Sequence, residues 1–139
     1  MSTADQTSDE VAVTEATGAG LFQVRVRAGG HDFWMDEPVG NGGLDTGPSP
    51  FDMLRAALAS CTLMTIKVYA ERKGWRTDGF RVQVRHFKGE AGARDRFDRI
   101  IALGDVTDEQ RERLLRIADR CPVHLLLEAG ADSPVTLGG

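Results

Sequence analysis

The sequence predicts an α+β fold in which antiparallel sheets pack around one long central helix. Three observations lead there. Segments that alternate apolar and polar residues come in neighbouring pairs with short connections, which makes them hairpins and not the crossovers of a parallel sheet. One helical segment opens at Ser49-Pro50 and runs for about 24 residues, or about 36 Å. The remaining helical pattern follows the last hairpin and does not alternate with strands.

The elements follow in chain order. The first dozen or so residues are Ser, Thr, Asp, Gln and Glu with little to bury, so a flexible acidic leader is expected over residues 1–18 and one domain over residues 19–139. Phe22, Val24 and Val26 alternate with Gln23, Arg25 and Arg27, and Ala28-Gly29-Gly30 turns the chain into a second strand over residues 31–35. Residues 36–48 are rich in Gly and Pro and predict a structured turn. Ser49 then suits a helix cap, Pro50 suits the first helical position, and Asp52 is placed to reach back to the cap. Gly74 ends this helix behind Arg72 and Lys73.

Along the helix Phe51, Leu54, Leu58, Cys61, Thr65 and Val68 trace a stripe, and Met53, Ala56, Ala57, Leu63, Met64 and Ala70 widen it around the circumference. A helix apolar on most sides needs more cover than one sheet supplies, so a homodimer is expected. Residues 79–87, with Phe80, Val82, Val84 and His86 on one face, and residues 96–103 predict a second hairpin. Thr107-Asp108-Glu109-Gln110 is a capping box, and Leu114, Leu115, Ile117 and Ala118 follow at helical spacing. Pro122 restarts a third helix over residues 122–128 with Cys121 as its cap, and a last strand is expected around residues 134–137.

Composition narrows the function classes. At 139 residues, 41% hydrophobic and 27% charged, the chain has ordinary globular usage. The net charge of −4 resides in Asp5, Asp9, Glu10 and Glu15, and residues 19–139 carry 17 acids and 17 bases, so a nucleic-acid partner is not expected. Residues 1–20 have no secretory pattern, and the run of 14 residues from position 53 to 66 contains Arg55, so a cytoplasmic protein with no membrane partner is expected. The spacing of His and Cys does not suit zinc, and the glycines of residues 40–47 match neither nucleotide-binding pattern. No cofactor and no metal is implied.

The chemistry therefore falls to the two cysteines. A helical cysteine such as Cys61, flanked by Ala59, Ser60 and Thr62, is ordinarily a small buried hydrophobe. Cys121 precedes a helix whose dipole favours an anion, with Arg120 beside it and His124 one turn on. Should the fold bring the two sulfurs together, they form the dithiol that peroxide reduction requires: one thiolate attacks and the other resolves the sulfenic acid. Asp52 reads first as a helix-start residue, Arg25 and Arg27 as the wet face of a strand, and His124 as helix packing. Each is also a candidate supporting group.

The run from Gly47 through Ser49-Pro50-Phe51-Asp52 to Ala59-Ser60-Cys61-Thr62, with Met64-Thr65 and Tyr69-Ala70-Glu71-Arg72-Lys73-Gly74-Trp75, strongly resembles the OsmC/Ohr superfamily of osmotically inducible and organic hydroperoxide resistance proteins. Arg120-Cys121-Pro122-Val123-His124 resembles its second cysteine motif. The resemblance implies an OsmC-like fold and an intertwined homodimer with active sites at the interface. It implies a peroxidatic Cys61, a resolving Cys121, organic hydroperoxide as substrate, and re-reduction by a dithiol such as a lipoylated protein or a small thiol. The hydroperoxidase branch carries a glutamate where this chain has Phe51, and an arginine in an early glycine-rich turn where residues 18–21 have none. The chain thus resembles a general OsmC-like member. A noncatalytic small-molecule-binding or regulatory protein with Phe51 in its pocket is the alternative expectation.

Overall fold

The computed structural model describes residues 11–138. Contacts divide the chain into two compact units, one up to Leu54 and one from Arg55 on, where one domain over residues 19–139 is expected from the sequence.

The first unit is built on a three-stranded antiparallel sheet, β1 (Ala12–Ala16), β2 (Val24–Ala28) and β3 (His31–Met35), in that spatial order. Val26, opposite Thr14 and Phe33, is its buried residue. Gly29 and Gly30 both take positive φ, 56° and 78°, as the two-residue turn of a twisted hairpin demands. Strand β1 corrects the expected leader, whose residues 1–10 lie outside the described ones. Only Val13 of β1 is even half-buried. It is held as an edge strand by its ladder to β2, which leaves almost no hydrophobic signal to read.

After β3 the chain wraps around Asp36, which is 2% exposed. Its carboxylate accepts from the N–H groups of Glu37 (2.8 Å), Leu44 (3.4 Å) and Thr46 (3.2 Å) and from the Thr46 hydroxyl (2.6 Å). The wrapping is tight enough to require glycine: a Cβ on Gly43 would sit 1.9 Å from the Glu37 carbonyl oxygen. The loop delivers the chain to Ser49, whose hydroxyl accepts from the Asp52 N–H (3.1 Å) while Asp52 accepts from the Ser49 N–H (3.0 Å).

That reciprocal cap opens helix α1 (Pro50–Arg72), which continues into the second unit. Its buried seam is Leu58, Thr62, Ile66 and Ala70. This differs from the expected stripe, since Phe51 and Val68 are about half exposed and Met64 is 65% exposed. A helix apolar on most sides has too weak an asymmetry for periodicity to select the packed face. By length and composition α1 also passes as a membrane span, with a mean hydropathy of 1.2, beyond the 14-residue run counted from sequence. Its seam instead packs into protein.

In the second unit, β4 (Arg81–Phe87) pairs antiparallel with β5 (Arg96–Ala102), and His86 stacks on Phe97 at 4.4 Å. Helix α2 (Asp108–Ala118) and helix α3 (Pro122–Ala129) follow. Ile66 and Ala70 of α1 form the core with Leu114, Ile117 and Ala118 of α2, flanked by Trp75, Phe80 and Ile101. Each large apolar side chain so buried contributes roughly 1.5–3 kcal/mol. Arg94 fastens the end of α3 by donating to the Glu128 carbonyl (3.0 Å). The strand expected around residues 134–137 is not formed: Val135 and Leu137 are fully exposed, and no described strand pairs with this segment to supply the ladder that alternation alone cannot.

Candidate active site

A helix and a turn bring the sulfurs together. Cys61 lies in the middle of α1, one residue off the buried seam. Cys121 is held by a tight turn, its N–H donating to the Ala118 carbonyl (3.2 Å) at the end of α2, and Pro122 then starts α3. Both cysteines are free thiols, and the Cys61 thiol is hydrogen-bonded to Cys121.

Their exposures differ. Cys121 is completely buried, whereas Cys61 is partly exposed and lines a groove of about 590 Å³. Ala57, Met64, Val68 and Ile117 give that groove its apolar wall, and Tyr69 and Arg120 also line it. One sulfur thus borders open space and the other does not.

Their proton affinities differ as well. Burial pushes the Cys61 thiol up, its bond to Cys121 pushes it further, and the Val123 N–H and Thr65 hydroxyl offset only part of this. Thr65 is a poor anion donor, because its hydrogen is committed to the Cys61 carbonyl at 2.7 Å. Burial also pushes Cys121 up, but the Cys61 thiol, the His124 N–H, the Thr62 hydroxyl and the Val123 N–H outweigh it and hold Cys121 below the ordinary thiol range. The Val123 and His124 N–H groups lie near the Cys121 sulfur without closing a capping hydrogen bond. Its surroundings suit the anion.

Behind Thr62 stands Arg99 of β5, with only 12% of its side chain exposed. Its guanidinium donates to the Thr62 hydroxyl (3.3 Å), the Ala118 carbonyl (2.9 Å) and the Asp119 carboxylate (2.6 Å). Neither Thr62 nor Arg99 stands out by motif. The strand phase carried a signal, however, because Phe97, Arg99 and Ile101 share one face of β5 and an arginine between two core-directed residues marks a buried charge.

The other sequence candidates lie as follows. Asp52 serves the cap of α1. Arg25 and Arg27 are exposed on β2 and both face Asp32, at 3.9 and 2.8 Å. Phe51 lines an apolar pocket of about 440 Å³ in the first unit with Phe22, Val24 and Met35. The His124 ring lies 3.7 Å from Asp119 and beside Arg99 in a separate cleft, so its contribution to Cys121 is made by its backbone. Among the described residues no group of three or more His, Cys, Asp or Glu side chains is arranged to hold a metal ion.

Comparison with known proteins agrees with this architecture. The family model described as OsmC-like protein matches residues 41–136. No curated protein matches the chain in sequence. Among solved structures, an osmotic stress induced and detoxification response protein from Psychrobacter arcticus is similar at 22% identity and a TM-score of 0.69, over 82% of this chain and 85% of that one. An OsmC-like protein from Mycoplasma pneumoniae is similar at 17% identity and 0.63, over 85% and 84%. The organic hydroperoxide resistance protein OhrB of Bacillus subtilis is similar at 21% identity and 0.57, over 82% and 86%. At these identities the likeness is one of fold.

Proposed function

The chain belongs to the OsmC-like family, and from that premise we propose that it reduces organic hydroperoxides with its two cysteines. The observation that carries this reading is the hydrogen-bonded pair of free thiols, one of them opening onto an apolar groove. The Cys61 sulfur attacks the distal peroxide oxygen, the O–O bond breaks, and the alkoxide leaves to be protonated as the alcohol. Cys121 then attacks the resulting sulfenic acid, water departs, and a Cys61–Cys121 disulfide remains. An external dithiol, a lipoylated protein or a small thiol, restores the pair in the cytoplasm. The groove's apolar wall favours an alkyl hydroperoxide over hydrogen peroxide.

The working form is a homodimer. Ala57, Met64 and Val68 run exposed along α1, an apolar face that a second copy roofs over, closing one side of the groove while its mouth stays open to substrate. Light scattering across a wide concentration range should give twice the chain mass.

The direct test is consumption of cumene hydroperoxide or tert-butyl hydroperoxide by pure protein with a dithiol, together with peptide mass spectrometry. One equivalent of peroxide should convert two thiols into one Cys61–Cys121 disulfide. Equal rates from the protein and its Cys61→Ser variant would overturn the reading. The apolar pocket around Phe51 supports a second reading, a noncatalytic small-molecule-binding or regulatory protein. Inert thiols combined with saturable binding of an apolar ligand would favour it.

A further inference from the structure

The reduced pair has two sulfurs and unequal support for charge. We infer that Arg99, acting through Thr62, keeps the negative charge of the reduced pair on Cys121, so that buried Cys121 is the base that takes the proton of Cys61 when Cys61 reacts. This rests on the proposed peroxidase chemistry and supplies the activating group for a chain that has Phe51 at the family's acid position.

Three observations argue it. Thr62 is completely buried and accepts from Arg99 at 3.3 Å, which engages a lone pair and leaves its hydrogen to donate, and the Thr62 hydroxyl is among the groups that lower the Cys121 thiol. Thr65, the corresponding hydroxyl beside Cys61, spends its hydrogen on a carbonyl. Finally, Cys121 occupies the N-cap of α3, where the N–H groups of Val123 and His124 suit an anion better than a neutral thiol.

The other charged groups leave this arrangement intact. Asp119 is neutralised by Arg99 at 2.6 Å, and the His124 ring leans toward the same carboxylate at 3.7 Å. Arg120 and Arg72 line the groove on the Cys61 side, where their charge favours an anion on Cys61, but neither is among the groups bonded to its sulfur.

The proton inventory closes. As the Cys61 S–H bond breaks, its proton passes to Cys121 and its electron pair forms the new bond to the distal peroxide oxygen, expelling alkoxide. Cys121, now a thiol, attacks the sulfenic sulfur, and its proton leaves with the hydroxyl as water. Solvent protonates the alkoxide. The buried thiolate therefore acts first as base and then as resolving nucleophile.

The experiment needs no peroxide, so its failure is separate from failure of the functional reading. The ultraviolet absorbance of thiolate is followed against pH in Cys61→Ser and Cys121→Ser, and iodoacetamide labelling of Cys61 is timed by mass spectrometry in the wild type, Cys121→Ser, Thr62→Val, Arg99→Gln and Arg99→Lys. Cys61→Ser should keep a thiolate that titrates below about 8.5 and Cys121→Ser should not. Labelling of Cys61 in the wild type should rise with the titration of Cys121, and in both Cys121→Ser and Thr62→Val the inflection of its pH profile should move upward. Arg99→Lys, which keeps the charge, should recover part of what Arg99→Gln loses. A merely structural Arg99 would lower the urea midpoint without moving the profile, and that result would overturn the inference. So would a Cys121→Ser protein whose labelling profile keeps the wild-type inflection. If Arg99→Gln fails to fold, Thr62→Val and Arg99→Lys decide.

Discussion

The N-termini of α2 and α3 are closed by opposite means. At α2 the Thr107 hydroxyl accepts from the Gln110 N–H (3.1 Å) and the Gln110 side chain accepts from the Thr107 N–H (3.1 Å), so a neutral capping box satisfies both donors. At α3 the capping residue is Cys121, whose neutral thiol makes no such bond. A hydroxyl at this position stabilises a helix. Sulfur suits the terminus as a thiolate, and its neighbour Cys61 opens onto the groove. On the proposed chemistry, reactivity arises where an ordinary stabilising contact is withheld.

The largest expected effect comes from removing the sulfur that meets substrate. Cys61→Ser should lower hydroperoxide reduction by roughly 10³-fold or more, to the uncatalysed background, in an assay of peroxide consumption. Next, Cys121→Ser makes the terminus of α3 resemble that of α2. Because serine is a good N-cap, the urea midpoint should hold or rise, while dithiol-supported turnover falls roughly 10²-fold and dimedone traps a sulfenic acid on Cys61. A variant with lower stability and intact turnover would dissolve the contrast between the two caps.

Asp36 sharpens the comparison from the first unit, since it too is an anion embraced by N–H donors, but a permanently charged one. The Thr46 hydroxyl, then the N–H groups of Glu37, Thr46 and Leu44, outweigh burial and hold its carboxyl below the ordinary range. A carboxyl so lowered stabilises the fold above its unfolded pKa and ceases to do so as pH falls through the folded one. Asp36→Asn should therefore have a lower urea midpoint than the wild type at neutral pH, and the two should converge on acidification below about pH 4. A constant gap across that window would mean that charge at Asp36 is immaterial. The smallest effect belongs to the neutral cap: Thr107→Ala should cost about 1 kcal/mol in urea unfolding and leave peroxide turnover unchanged.

Local chemistry made much of this legible in the sequence. The caps at Ser49 and Thr107, the Gly29-Gly30 turn, both hairpins and the restart at Pro122 each depend on residues within a few positions of one another. Where the local signal was faint, the reading failed. Strand β1 is an edge with one half-buried side chain, and the alternation of Val135 and Leu137 finds no strand to pair with among the described residues. Asp52 illustrates a residue whose local role, capping, is the one the structure displays.

By itself, then, the sequence determined the α+β class, the long helix and the two cysteine motifs, because short-range backbone preferences and hydrophobic period are written in consecutive residues. The meeting of Cys61 with Cys121, 60 positions apart, was decided by tertiary structure. So was the choice of Leu58, Thr62, Ile66 and Ala70 as the buried seam of a helix apolar nearly all round. The same packing drew Arg99 inward to Thr62 and the end of α2. Burial and donor geometry set the relative acidity of two otherwise identical thiols, and both are properties of the space around a side chain, which adjacency in sequence does not specify.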